Sequence, residues 1–421
     1  MKKIAINIDP FNPPRIRLSS PNSSLSAIWQ SSNLMSALFL GEVFYNLGYE
    51  IFILYKTPVA QSSLSPSDWI SPIYPKFHML EEGVAFTTEL EFQIIFQLGY
   101  FYDKKVIAKY RHLNPNVKIV AYITESFSIS DMEYMIYTEN NLNYHGFKHL
   151  SEATFEERKN FCRVDQIWIL PQHEKTSLEY LQFYLNCAEV TVVPYIWSAT
   201  ISTYYAESEK LSSFFVKSAS SSSNLESRKY AAAIVEPNIS LTRSCIIPVY
   251  ICERYNRQHQ NLANIYILNG KDVGKHRKFL QVIDGTSIRN LCSAEDNFQI
   301  LKFLNKYADV IVSHQWHCPI NHIYFETAWW GWPIIHNGEL CKDIGYYYSD
   351  FNVSEGTKAL ERVIDKHASF APKYLKVMRK RISRYLPETA KLLEDYQILV
   401  QDLLFDRFKK WTYDATTNSL I

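Results

Sequence analysis

The stretch spanning residues 313–351, SHQWHCPINHIYFETAWWGWPIIHNGELCKDIGYYYSDF, crowds His314, Gln315, Asn321, His322, Glu326, His336 and Asn337 among aromatic side chains. It follows the apolar run Ala308-Asp309-Val310-Ile311-Val312, which reads as a short buried strand. A packed core has no use for so many hydrogen-bonding groups. Polar groups converging beside apolar surface at the end of a strand are what a small-molecule site needs. A second stretch, Glu236-Pro237-Asn238-Ile239-Ser240, follows the strand read at Ala231–Val235, where the first βα loop of a nucleotide-binding half belongs. Asn238 or Ser240 suits a helix N-cap, and Ser240, Thr242 and Ser244 offer hydroxyls to phosphate oxygens. Arg243 adds a charge-assisted contact. A plain helix cap with no ligand is the competing reading of this turn. His336 and Asn337 end the strand that begins at Pro333 and are expected to meet a sugar or phosphate, the alternative being a buried histidine satisfied by backbone. Lys342 either neutralises phosphate charge or is a surface lysine, and Tyr346, Tyr347 and Tyr348 wall the pocket or belong to the core.

The elements that position these residues are legible from periodicity. Residues 3–8 read as a strand that runs into a Pro- and Ser-rich loop from Asp9 to Ser24. A helix from about Ser26 to Leu47 stops at Gly48, and Ile51–Tyr55 is the next strand. Strand, helix and strand in this order make a βαβ unit with parallel pairing and a right-handed crossover. Further strands are read at Phe92–Leu98, Lys118–Ile123, Gln166–Leu170 and Val190–Val193, with helices over Lys104–His112 and from about Glu174 to Cys187. Continuous apolar strands of this kind belong to a sheet covered on both faces. Residues 198–228 hold two Ser-rich patches without sustained periodicity and read as a linker. A second set of strands follows at Ala231–Val235, Ile265–Leu268, Phe279–Ile283, Val310–Val312 and Pro333–His336. Helices are expected over Asp296–Tyr307 and near Asn321–Trp330, and from Lys373 to Lys410 with a break near Pro387.

The fold class is therefore α/β, with two Rossmann-like domains, a cleft between them and long C-terminal helices. The expected division is 1–197, a linker at 198–228, a second domain at 229–386, and a C-terminal helix at 387–421 that packs back on the first domain. Ligands of such sheets bind outside the carboxyl ends of the strands.

Composition narrows the function. At 421 residues the chain exceeds one comfortable core and suits two domains, and its hydrophobic content of 47% is that of a globular protein. A net charge of +1 argues against a dedicated nucleic-acid binder. With 12 glycines and no GxGxxG after either first strand, a multi-glycine phosphate loop and a dinucleotide oxidoreductase are disfavoured. The seven cysteines form no CxxC pair and suit reduced thiols in a cytosol. Cys318 with His314, His317 and His322 lacks a second ligand cluster at zinc spacing. No metal and no cofactor is implied. No apolar run approaches the roughly 20 residues of a bilayer span, so an intracellular, cytoplasmic protein is expected. The segment Lys373–Arg384 is basic with an apolar stripe at Leu375, Val377 or Met378, and Ile382, a pattern suited to peripheral contact with anionic lipid on the inner membrane face.

The segment Phe325-Glu326-Thr327-Ala328-Trp329-Trp330-Gly331-Trp332-Pro333-Ile334-Ile335 resembles a signature of GT-B glycosyltransferases, in which a helix glutamate precedes a Gly-x-Pro turn and a short apolar strand. The wider stretch from Ser313, with PIIHN at 333–337, CKDIGYYYSDF and the EPNIS turn, resembles an uncharacterised bacterial family of glycosyltransferase-like fold from glycan-assembly gene clusters. The resemblance implies a transferase that moves a sugar from a nucleotide-sugar donor to a glycan or lipid-linked glycan. The donor would be held by Asn238, Ser240, Thr242, Arg243, His314, Gln315, Asn321, Glu326, His336, Asn337 and Lys342, with Glu326 accepting from ribose hydroxyls and a helix N-terminus facing the diphosphate. Many retaining members carry another glutamate eight residues earlier, where this chain has Cys318.

The acceptor side is expected in the first domain, in the loops after Asp9, near Ser31 to Asn33, and after Ile123. If configuration inverts at the sugar carbon, a general base is required, for which Asp9 and Glu125 are the candidates. Two other functions fit the same plan: a nucleotide-sugar epimerase, and a binding protein without catalysis.

Overall fold

The computed structural model describes residues 2–8, 32–55, 70–85, 90–98, 104–137, 164–184, 189–214, 228–407 and 409–421. Asp9 lies outside these residues. The chain forms two compact units, one of residues 1–201 with 384–421 and one of residues 202–383.

The first unit is built on a seven-stranded parallel sheet of β1 (Lys3–Asn7), β2 (Glu50–Tyr55), β3 (His78–Glu81), β4 (Ile94–Gln97), β5 (Lys118–Ile123), β6 (Gln166–Ile169) and β7 (Val190–Val192). Their spatial order is β3-β2-β1-β4-β5-β6-β7. Ile4, Ile6, Ile51, Leu54, Ile94 and Val120 are fully buried, which explains why these strands carry no polar alternation. The direction of winding reverses between β1 and β4. There Asn7 Oδ1 accepts from the Leu98 backbone N–H at 2.7 Å. The C-terminal helix Ala390–Leu404 packs within this unit, where Tyr396 meets Phe44 and Trp168 and its hydroxyl donates to the Pro194 carbonyl at 2.8 Å.

The second unit carries a six-stranded parallel sheet of β8 (Tyr230–Ile234), β9 (Leu262–Ile267), β10 (Cys292–Ala294), β11 (Val310–Val312), β12 (Ile334–His336) and β13 (Tyr346–Tyr347). Its order is β10-β9-β8-β11-β12-β13, so the winding reverses between β8 and β11. Gly331 takes a left-handed φ of +78°, the turn geometry its place ahead of Pro333 demanded.

Several elements differ from the sequence reading. Phe279–Ile283, read as a strand, lies within the helix Arg277–Asp284. Phe279 and Ile283 are buried while Leu280 is exposed, so the apolar residues recur with helical period. The third strand of this half is Cys292–Ala294, whose small, half-polar residues gave little signal. Thr200–Ser208, inside the stretch read as a linker, is a helix with Ile201, Ser202, Tyr205 and Ala206 buried, a face in which hydroxyl and small side chains mask the period. The long helix Val353–Ile382 is kinked at Phe370 (φ −127°, ψ 20°), two residues before Pro372, whose ring removes a backbone donor from the helix ladder.

Candidate functional site

Three loops leave the carboxyl ends of β8, β11 and β12, the strands at and beside the reversal of the second sheet. The first begins with Glu236, two residues beyond β8 and fully buried. Its Oε1 accepts from the Ser313 hydroxyl at 2.5 Å and from the His314 backbone N–H at 3.0 Å, and its Oε2 accepts from Gln315 Nε2 at 3.3 Å. One carboxylate thus holds together the ends of β8 and β11. Burial drives its pKa up to about 7, although the hydrogen bonds and the Arg243 charge pull the other way.

Arg243 belongs to the same cluster. Its charge lowers the pKa of Glu236, of the buried Cys318 thiol and of His322, groups that lie on three different segments. Burial outweighs it at Cys318, whose thiol is pushed up, so this side chain is a neutral packed group.

The loop 236–245 is wired internally. Asn238 sits at φ +56°, a conformation that asparagine tolerates, and its Oδ1 accepts from the Cys245 N–H at 2.9 Å just ahead of the helix Ile246–His259. Its Nδ2 donates to the Glu236 carbonyl at 2.8 Å. Ser240 and Thr242 hydroxyls bond each other at 2.9 Å, and Thr242 N–H donates to Ser240 Oγ at 3.2 Å. These polar groups build the loop, but neither Asn238 nor Ser240 is the N-cap, which is Cys245 without a side-chain cap bond; Arg243 is the residue of the turn whose charge reaches the cluster.

His314 extends the cluster toward β13. The Tyr348 hydroxyl donates its single proton to the Ser313 carbonyl at 3.0 Å, so in its 2.9 Å contact with His314 it accepts from Nδ1–H. The imidazole is then neutral, with the Nε2 lone pair as acceptor. Burial agrees, pulling the pKa down to about 4. Nε2 is buried and has no hydrogen-bond partner among the described residues.

Asn321 Nδ2 donates to Gln315 Oε1 at 3.1 Å, and Asn321 Oδ1 caps the helix His322–Trp329 by accepting from Ile323 N–H at 3.1 Å. Asn337 forms a two-point clasp on the Gln315 backbone, both bonds at 2.8 Å. Gln315, Asn321 and Asn337 therefore fix the loop after β11.

The remaining candidates stand elsewhere. Glu326 is buried but two residues past Tyr324, hence about 200° around the helix from the phenol that faces Ser313. Its Oε1 accepts from Gln299 Nε2 at 3.2 Å, and burial pushes its pKa up to about 8. His336 has no exposure, and both its nitrogens are used by backbone: Nε2 toward the Ile344 carbonyl at 2.6 Å and Nδ1 accepting from Gly338 N–H at 3.0 Å. The alternative of a backbone-satisfied histidine is the observed one. Lys342 is exposed and lines a different cavity, beside Gly345 and Tyr346. The apolar stripe of Lys373–Arg384 faces inward, with Met378 and Ile382 buried and Leu375 against Gly331, so it is core and not a lipid-facing surface.

Glu236 is the residue that sequence reasoning passed over. It was visible as the first polar residue after β8, but a glutamate before a proline carries no signal of its own.

In the first unit, Glu125 follows β5 and is half-buried. Its neighbour Thr124 donates from Oγ1 to Asn33, and the Thr124 carbonyl meets His173 Nε2 at 2.9 Å. These groups gather at the carboxyl ends of β5 and β6 near the start of the helix Ser32–Asn46. Among the described residues no group of three or more His, Cys, Asp or Glu is placed to hold a metal, and no helix is long and apolar enough to cross a membrane.

Residues 53–400 match the family described as a protein of unknown function (DUF2827), and the chain belongs to that family. No curated protein sequence matches it. Among solved structures, the chain is similar to sucrose-phosphate synthase from Thermosynechococcus elongatus, with a TM-score of 0.54 and 11% identity over 96% of this chain and 100% of that one. A glycosyltransferase from Rickettsia africae gives 0.51 and 9% over 96% and 98%. The HepE protein of Anabaena, in complex with UDP and glucose, gives 0.51 and 8% over 96% and 100%. The fold is accordingly the two-Rossmann GT-B architecture.

Proposed function

We propose that this protein is a glycosyltransferase taking a sugar from a nucleoside-diphosphate sugar and passing it to a glycan. The observation that carries the reading is the position of Glu236, Arg243, Ser313 and His314. They meet where the second sheet reverses its winding, between β8 and β11, which is where open α/β sheets bind their ligands. A buried acceptor without a partner, a positive side chain and a rigid hydrogen-bonded floor suit a ligand that carries both phosphate and hydroxyl groups.

In this reading Arg243 faces the diphosphate. As the bond between the sugar carbon and the phosphate oxygen breaks, negative charge grows on the leaving diphosphate, and the guanidinium stabilises it without a metal. His314 Nε2 accepts from a sugar or ribose hydroxyl. Glu236 keeps the Ser313–Gln315 loop in register and touches no substrate. The acceptor glycan is taken by the loop after β5 of the first unit, and Glu125 takes the acceptor proton if configuration inverts.

Thermal shift against UDP-, GDP-, CMP- and dTDP-sugars tests the donor class, because a ligand that binds the native state raises its stability by mass action. Stabilisation by one nucleotide, lost in Arg243→Ala, is expected. No stabilisation by any of the four, or stabilisation unchanged in Arg243→Ala, overturns the assignment.

A further inference from the structure

The second unit holds another feature that the donor reading does not use. A cavity of about 630 Å³ opens where Gly345 enters β13 and is lined by residues from both arms of the kinked helix Val353–Ile382. Four cations line it: Lys342 and Arg381, with Arg362 from before the kink and Lys373 from after it. No carboxylate is among its lining residues. Tyr348, just past β13, belongs to the Glu236 cluster, whereas Gly345, just before β13, belongs to this cavity. The two sites therefore flank opposite ends of one strand.

Like charges gathered around one cavity repel each other, and the arrangement costs stability unless an anion relieves it. Lys342, Arg362 and Lys373 have no ion-pair partner among the described residues. Arg381 is held by its NH1 bond to the Asp343 carbonyl, which fixes its position at the cavity. The walls are aromatic. Tyr346 donates or accepts with His367 Nδ1 at 2.9 Å, and Tyr374 reaches the Trp332 carbonyl at 3.4 Å, so both rings are pinned. Arg362 and Arg381 stand close enough to these two phenols for their charges to be felt there. Burial, together with the charges of Glu339, Asp350 and Glu355, pushes up the phenol of Tyr347.

Guanidinium groups pair with phosphate oxygens through two parallel N–H donors, and ammonium groups act as point charges on the same ligand. The volume lies within the roughly 300–1,000 Å³ of ligand pockets and exceeds what an inorganic phosphate fills. Tyrosine rings supply contact for an organic portion attached to the phosphate.

We propose that the cavity framed by Lys342, Arg362, Lys373 and Arg381 is a second anion site that binds a diphosphate or phosphate-ester group, separate from the donor cluster at Glu236. The group comes either from a free phosphate compound or from a phospholipid head group at a membrane surface. With the apolar stripe of Lys373–Arg384 turned into the core, a head group would be held by charge alone, without insertion of this helix.

The test uses the full-length protein and the double variant Arg362→Gln/Lys373→Gln. Both side chains are exposed, so the variant is expected to fold, with a melting temperature equal to or above that of the wild type because two repelling charges are gone. Inorganic pyrophosphate binding is followed by calorimetry, and flotation is done with phosphatidylcholine vesicles with and without phosphatidylglycerol. Each lost charge-assisted contact is worth about tenfold in affinity. Pyrophosphate binding that weakens at least tenfold in the double variant but persists in Arg243→Ala identifies a free phosphate ligand. Flotation that requires phosphatidylglycerol and is lost in the double variant identifies the head group. Binding of neither probe, or binding that the double variant leaves unchanged, overturns the proposal, whatever the outcome at the donor cluster.

Discussion

The backbone N–H of His314 donates to Glu236 Oε1 at 3.0 Å, which ties the end of β11 to the end of β8 across the point where the sheet reverses. The same carboxylate takes the Ser313 hydroxyl and the Gln315 amide. Removing it has a definite consequence.

Glu236→Ala leaves the His314 N–H and the Gln315 amide without acceptors, each costing about 1–3 kcal/mol, and the Ser313 hydroxyl with only its 3.3 Å contact to Tyr324. The expected loss is about 3 kcal/mol or more in urea unfolding. Glu236→Gln retains an acceptor oxygen for Ser313 and His314 but turns an NH2 toward Gln315, and about 1 kcal/mol is expected. Equal stability of the Ala and Gln variants would mean that these hydrogen bonds do not hold the loops.

Arg243→Ala is expected to weaken nucleoside-diphosphate binding by roughly 10- to 100-fold, the value of a charge-assisted contact of about 1.5–3 kcal/mol. Titration calorimetry at fixed ionic strength measures it. Arg243→Lys is expected to recover part of the loss, because an ammonium supplies charge without the planar fork. Binding unchanged in both variants would remove Arg243 from the site.

Stability is expected to fall as pH rises above neutrality. Burial lifts Glu42 and Glu236 to about 7 and Glu326 to about 8, so the native state keeps protons that the unfolded chain gives up from about 4.5. More protons bound in the native state means stability decreasing with pH across that window. His314, His336 and His367 act in the other direction: lowered to about 4, they refuse protons that the unfolded chain takes below about 6.5. The two sets oppose each other below about 6.5, and only the carboxyls act above it. The melting temperature should therefore decline from about pH 6.5 to 8, and Glu326→Gln should flatten the upper part of the decline. A profile that rises in this range in the wild type contradicts the neutral state of these acids.

Asn238 separates backbone strain from hydrogen bonding. Asn238→Gly keeps the φ of +56° at no steric cost and loses the bond to Cys245 N–H, whereas Asn238→Ala loses the bond and adds strain. The alanine variant is expected to be less stable than the glycine variant by about 1 kcal/mol, read from denaturant midpoints. Equal midpoints would show that the loop relaxes out of the left-handed conformation.

The fold and the neighbourhood of the site were legible from local signals. Continuous apolar runs marked β1, β2, β5, β6 and β11, and their alternation with helices fixed parallel pairing, because a parallel connection needs a crossover. Strands built of small or half-polar residues, such as β10, were not legible, since their burial comes from neighbours far along the chain. The sequence by itself also placed His314, Gln315, Asn321 and Arg243 at the carboxyl end of the second sheet, because a polar residue just beyond a strand sits there. Tertiary structure decided between the two glutamates. Glu326 and Glu236 both lie beside apolar segments, but helical phase turns the first toward Gln299, and strand order carries the second to the point where β8 and β11 part. Period sets which side of an element a residue occupies; only the packing of the sheet sets what that side faces.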